Sequence, residues 1–130
     1  MNNLIKNKRG LVMGVANDKS IGWGIAKAIA DQGGELAFTY QGEALKKRVI
    51  PLANSVNSDI ILPCDVLSDD DIDSTFHQLK KVWPKIDFLV HAIAFSDKDE
   101  LKGEYIDTSR DNFIKTMDVS VYSFTAIARR

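Results

Sequence analysis

Four short apolar runs alternate with four stretches of helical periodicity, and no tight-hairpin signal stands between any of them. Strands joined only through helices run parallel, with right-handed crossovers and helices on both faces of the sheet. The runs are residues 10–13, 35–40, 59–64 and 88–92. They predict a doubly wound parallel α/β sheet in the order 3-2-1-4, with its switch point between the first and fourth strands. Ligands of such sheets lie at the carboxyl ends of the strands. Here those ends are residues 14–24, Tyr40-Gln41, Asp65-Val66 and residues 93–96.

The helices are read from their apolar stripes. The first carries Ile21, Ile25, Ala28 and Ile29 and stops at Gly33-Gly34. The second opens at Gln41-Gly42 with Leu45, Val49, Leu52, Ala53 and Val56, and Pro51 is expected to bend or shorten it. Ser68 with Asp69, Asp70 and Asp71 reads as a capping box and a solvated helix start, followed by Ile72, Phe76, Leu79 and Val82 as the buried face. After a loop over residues 95–107, Thr108 to Asp111 open a last helix whose stripe is Phe113, Met117, Val121, Phe124 and Ile127. This helix has no stop signal, and the fourth strand is apolar enough to want an outer neighbour. The expectation is one domain over residues 1–130 that forms half of a larger fold.

Bulk properties narrow the function. A net charge of −1 without a basic block lacks the footprint of a nucleic-acid binder. The apolar part of the N-terminus is two residues long, so neither a signal peptide nor a membrane span is expected. The single cysteine, Cys64, suits a reducing cytoplasm and reads as a core thiol. His91, inside an apolar strand, reads as a satisfied core histidine.

The first strand runs into Gly14-Val15-Ala16-Asn17-Asp18-Lys19-Ser20-Ile21-Gly22-Trp23-Gly24. Strand, glycine turn and helix together aim backbone N–H groups and a helix N-terminus at a phosphate. The spacing is longer than G-x-G-x-x-G and carries a hydroxyl, so the reading is a Rossmann-type dinucleotide site of variant kind. Gly14 takes the close-approach position, with Ser20 and Ile21 at the phosphates. Gln41 stands where an acid commonly holds the adenosine ribose, and no Lys or Arg stands at that tip to receive a 2′-phosphate, which favours NADH over NADPH. Asp65 beside Val66 can accept from an adenine amino group while the valine flanks the ring; taken alone, the pair reads equally as a helix-capping Asp. A phospho-receiver module needs acids directly after the first strand, where Val15 and Ala16 stand instead.

The blocks at residues 14–26 and 35–41, Cys64-Asp65-Val66, residues 81–87 and residues 91–95 together resemble the bacterial enoyl-acyl-carrier-protein reductases, a divergent branch of the short-chain dehydrogenases/reductases. The resemblance covers the whole chain. It implies an NADH-dependent oxidoreductase of fatty-acid synthesis, cytoplasmic and homotetrameric, that reduces trans-2-enoyl thioesters on acyl carrier protein. It places Gly14, Ser20, Ile21, Gln41, Asp65, Val66 and Ile93 on cofactor-contacting positions. Ser96 falls on a substrate contact where the family often has alanine, and Gly22 also stands where alanine is common. The family's catalytic tyrosine, and the lysine seven residues after it, belong to the half of the fold expected after Arg130. No residue of this chain is therefore assigned a catalytic role, and the chain alone is expected to bind cofactor weakly and be inactive. The alternatives are a short-chain dehydrogenase/reductase with another substrate, or a non-catalytic nucleotide-binding regulatory module.

Overall fold

The structure, a computed structural model, describes residues 3–130. Strands β1 (Arg9–Met13), β2 (Glu35–Tyr40), β3 (Ile61–Pro63) and β4 (Phe88–His91) form one sheet in the order β3-β2-β1-β4, and every pairing is parallel. This is the predicted Rossmann-type order. The third strand is three residues long rather than six, because only Ile61–Pro63 pairs with β2. Helices α1 (Ile21–Asp31) and α2 (Glu43–Ser55) contribute to one core with Val12, Val15, Leu36 and Phe38. On the other face, α3 (Asp69–Val82) and α5 (Ser123–Ala128) close a second core over Leu11, Met13, Ala37 and Cys64. β1 and β2 are thus buried from both sides, which is why they read as continuous apolar runs. β4, at the edge, is half-buried throughout.

Two of the first three helices bury other faces than expected. In α1 the buried residues are Gly22, Trp23 and Ala26, while Ile21 is 81% exposed and Ile25 and Ala28 also face outward. Trp23 sets this rotation by packing against Phe38, with ring centroids 6.3 Å apart. In α3, Val82 is exposed, and Thr75 and the following Trp83 are buried in its place. α2 runs through Pro51 to Ser55 with its predicted stripe facing inward, so the proline does not shorten it.

The last helical stretch departs most. It is α4 (Arg110–Met117), a π-helical turn (Asp118–Tyr122), then α5. The wider turn advances the faces by a residue, so a constant 3.6-residue stripe cannot follow it. Asn112, Val119, Ser123, Ala126 and Ile127 are buried, whereas Phe113, Met117, Val121 and Phe124 are exposed. Ala126 and Ile127 pack into the core under the sheet, whereas polar residues such as Asn112 face the chain leaving β4. Among the described residues, no helix is long and apolar enough to cross a membrane.

Candidate functional site

The carboxyl edge of the sheet opens into a cavity of about 370 Å³. Its walls come from all four strand ends: Gly14 to Ala16 after β1, Thr39 to Gln41 at β2, Cys64 to Leu67 after β3, and Ala92 to Phe95 after β4. Leu45, Lys115 and Val119 complete it. Five predicted positions therefore meet in one place: Gly14, Gln41, Asp65, Val66 and Ile93. Ser20, Ile21 and Ser96 lie outside this lining.

Gly14 has φ +107°, and a Cβ there would lie 2.0 Å from the Ala92 carbonyl oxygen. The close approach that demands glycine is thus made to the neighbouring strand end, before any ligand is considered. Gly22 is different: a Cβ would meet Ala92 Cβ and Gly14 at 3.4–3.5 Å, an ordinary contact.

Ser20 works on the turn itself. Its Oγ accepts the N–H groups of Ala16 at 3.0 Å and Asn17 at 3.1 Å. Two amides are thereby tied down, and the hydroxyl keeps its own proton to donate. Because that oxygen points back into the turn, Ser20 makes no side-chain cap on α1, and no acid stands in the first turn. α3 and α4 are closed at the same point, where Ser68 Oγ accepts from Asp71 N and Ser109 Oγ from Asn112 N. The start of α1 keeps its unpaired N–H groups and the positive end of its dipole for a partner at the cavity edge.

Asp65 is held by its neighbours. Its Oδ1 accepts from Leu67 N at 2.9 Å, and its own N–H donates to Asp71 Oδ2 at 3.0 Å. The expected capping box is half realised, since the Asp71 carboxylate serves Asp65 rather than Ser68. Asp69 and, further along the helix, Asp73 both pair with Arg130, at 3.2 and 2.6 Å, so with Asp71 bonded to Asp65 three of the four acids at residues 69–73 are not simply solvated. Among the described residues, no cluster could hold a metal ion.

A cation does reach the β2 tip. Lys46 folds back so that Nζ lies 5.8 Å from the Tyr40 ring centroid and 3.8 Å from Glu43 Oε1. Sequence position alone had put it a turn away.

Cys64 is buried in the cavity wall, and that burial pushes its thiol above the usual range; the nearby Asp71 and Asp65 charges add to this, while a Thr75 hydrogen bond opposes it. His91 Nε2 is 2.7 Å from Ser123 Oγ, and that hydroxyl donates to Val119 O at 2.6 Å. The serine proton is spent, so His91 is the donor and carries its hydrogen on Nε2. Burial holds the ring below its ordinary value. Neither residue is posed as an acid or nucleophile.

Ser96 is turned inward. Its hydroxyl receives bonds from Asn112 Nδ2 and Thr116 Oγ1, both at 3.1 Å. Any contact it makes with a substrate is left to its backbone. The helix residues that hold it, Asn112 and Thr116, and Ser120, which bonds the Phe95 backbone, were missed by sequence reasoning. Their four-residue spacing was the available signal, masked because large apolar residues stand beside each of them.

A four-stranded parallel sheet with a cavity at its switch point, glycine turn on one side and Asp65-Val66 on the other, defines a Rossmann-type doubly wound protein of the dinucleotide-binding class. A family described as enoyl-(acyl carrier protein) reductase matches residues 14–130, and the chain belongs to that family. It is 63% identical, over all 130 residues, to the enoyl-[acyl-carrier-protein] reductase [NADH] 2 of Rhizobium meliloti, covering 48% of that relative. FabI from Candidatus Liberibacter asiaticus superposes with a TM-score of 0.97 at 56% identity, over 99% of this chain and 50% of that one. An enoyl-(acyl-carrier-protein) reductase from Anaplasma phagocytophilum, solved in complex with NAD, gives 0.94 at 52% identity, again over half its length. The chain spans about half the length of the curated relatives it matches.

Proposed function

We propose that these 130 residues are the N-terminal, cofactor-holding half of an NADH-dependent enoyl-acyl-carrier-protein reductase. The observation that carries this reading is the convergence of Gly14, Gln41, Asp65, Val66 and Ile93 on one cavity beside an uncapped helix start. The residues fit the group: Asp65 has a carboxylate oxygen beyond the one bonded to Leu67, the cavity is adenosine-sized and mostly apolar, and Ser20 retains a donor. Asp65 and Val66 hold the adenine, Gln41 the adenosine ribose, Ile93 packs beside them, and Ser20 and Ile21 with the α1 N-terminus receive the phosphates. Bound there, NADH supplies a hydride for the carbon of a trans-2-enoyl thioester farthest from the carbonyl. The groups that would stabilise the developing enolate, the family's catalytic tyrosine and the lysine seven residues after it, are assigned to no residue here.

Gln41 without charge, and Lys46 already beside Glu43, favour NADH over NADPH. Ser96 is retained as a substrate-side position acting through its backbone. The partner is acyl carrier protein bearing the enoyl chain, the setting cytoplasmic and the assembly a homotetramer. The exposed row Phe113, Ile114, Met117, Val121 and Phe124 supports a subunit contact. Titrating the chain with NADH and NADPH, followed by nicotinamide fluorescence, tests the reading. Weak, saturable NADH binding with no crotonyl-thioester reduction is expected. No binding of either nucleotide, or turnover by these residues alone, refutes it.

A further inference from the structure

The chain leaving β4 has little to hold it by burial. Phe95 is 47% exposed and Ala94 is exposed too, yet both form a wall of the cavity. What holds them is a row of polar side chains on the helical segment opposite. Asn112, Thr116 and Ser120 are spaced four apart, so they share one helix face. Ser120 grips Phe95 from both sides: Phe95 N–H donates to its Oγ at 3.0 Å, and the hydroxyl lies 3.3 Å from Phe95 O. Thr116 donates to Ser96 Oγ. Asn112, only 4% exposed, accepts the Asp97 N–H at 2.8 Å and donates to Ser96 Oγ and to Thr108 Oγ1.

A buried amide is costly unless its hydrogen bonds are made. Asn112 makes them with backbone and hydroxyl groups of the segment it faces, which an apolar residue filling the same space could not do. The helix carrying the row also places Lys115 and Val119 in the cavity wall. Lys115 adds an exposed ion pair to Asp97 at 2.9 Å, worth little alone. The wall after β4 and the wall from the helix are thus one hydrogen-bonded unit.

We propose that Asn112, Thr116 and Ser120 are positioning residues that fix residues 94–97 against the helix and so set the shape of the cofactor cavity before ligand enters. This rests on reading the cavity as the NADH seat. It also accounts for Ser96: its hydroxyl is the node that Asn112 and Thr116 share, so a serine there ties the wall to the helix as alanine cannot.

The test follows amide hydrogen exchange and NADH affinity in the 130-residue chain and three variants, Asn112→Ala, Thr116→Val and Thr116→Ser. Thr116→Val keeps shape and removes only the hydroxyl, so it reports even where Asn112→Ala is poorly folded. One hydrogen bond of ordinary net strength corresponds to about threefold to tenfold in an equilibrium. Exchange at the Phe95 and Asp97 amides should therefore rise by about that factor in Thr116→Val and by more in Asn112→Ala, with Leu11 and Val12 unchanged. The NADH Kd should rise in parallel, and Thr116→Ser should return both readouts to within about twofold of wild type. Unchanged exchange at Phe95 and Asp97 overturns the proposal, as does raised exchange with unaltered Kd. A Thr116→Ser variant no better than Thr116→Val does the same. If wild type binds no NADH, the cofactor reading fails and this one with it, and the exchange data separately report whether the row holds the wall.

Discussion

Replacing Gly14 with alanine separates two reasons for a glycine at the head of the turn. If the residue is small only so that a cofactor can approach, the unliganded protein should not notice the change. The structure gives a different expectation. A side chain at φ +107° costs about 1–3 kcal/mol, and a Cβ 2.0 Å from the Ala92 carbonyl forces the ends of β1 and β4 apart. The Ala92 N–H bond to Met13 O at 2.9 Å lies in the path of that movement. Overpacking of this kind adds about 1–3 kcal/mol. The sum, about 2–6 kcal/mol, is a large share of the roughly 5–15 kcal/mol that holds a domain folded. For a chain of this length 1 kcal/mol corresponds to about 3–5 °C, so Gly14→Ala should lower Tm by at least about 6 °C without any ligand. Differential scanning calorimetry with Gly22→Ala as the control is the assay. At Gly22 a Cβ finds ordinary contacts inside a helix, and alanine should be neutral or stabilise by up to about 1 kcal/mol. A Gly14→Ala protein melting within a degree of wild type but failing to bind NADH would refute the argument and return the glycine to the ligand.

Other expectations follow from single residues. Cys64, buried and held as the neutral thiol, should react with iodoacetamide at least about tenfold more slowly in the native chain than in urea; equal rates would mean the thiol is open. Burial lowers the folded His91 below its ordinary 6.5, so the unfolded chain takes up the proton first as pH falls. Its stabilising contribution is present above about pH 6.5, is lost between there and the lower folded value, and is constant below. Urea melts across pH 7.5 to 5 should show that loss in wild type and a flatter profile in His91→Gln. Met117→Lys with Val121→Lys charges the exposed helix row, and light scattering should show smaller assemblies with Tm changed by less than about 0.5 kcal/mol's worth; unaltered mass places the contact elsewhere.

The comparison of sequence with structure divides along a physical line. Periodicity reports whether a residue type can face a core, and β1 and β2, buried on both faces over Leu11–Met13 and Leu36–Phe38, had to be apolar there. The strand order followed, because parallel strands joined by helices leave few topologies. The residues at the strand ends were legible for the same reason: in a sheet of this kind, Gln41, Asp65 and Ile93 are brought together by the ends they occupy.

Helix rotation was not legible. Ile21 and Ile25 have the right spacing for a core, yet the Trp23–Phe38 contact turns them outward, and nothing local to α1 says where Phe38 lies. In the last segment the π-helical turn broke the period, and the side chains doing the holding were polar, so a search for apolar stripes passed over Asn112, Thr116 and Ser120. Ser20 and Ser96 stood out in the sequence as hydroxyls at strand ends, but their direction depended on acceptors and donors that only the folded chain brings near. The sequence by itself determined the parallel sheet, its order and the edge at which a ligand would sit, because those follow from which residues must be dry. Only the tertiary structure decided which way each side chain at that edge points, because hydrogen bonds such as Ser96 to Asn112 join residues far apart in the chain and have no periodicity to betray them.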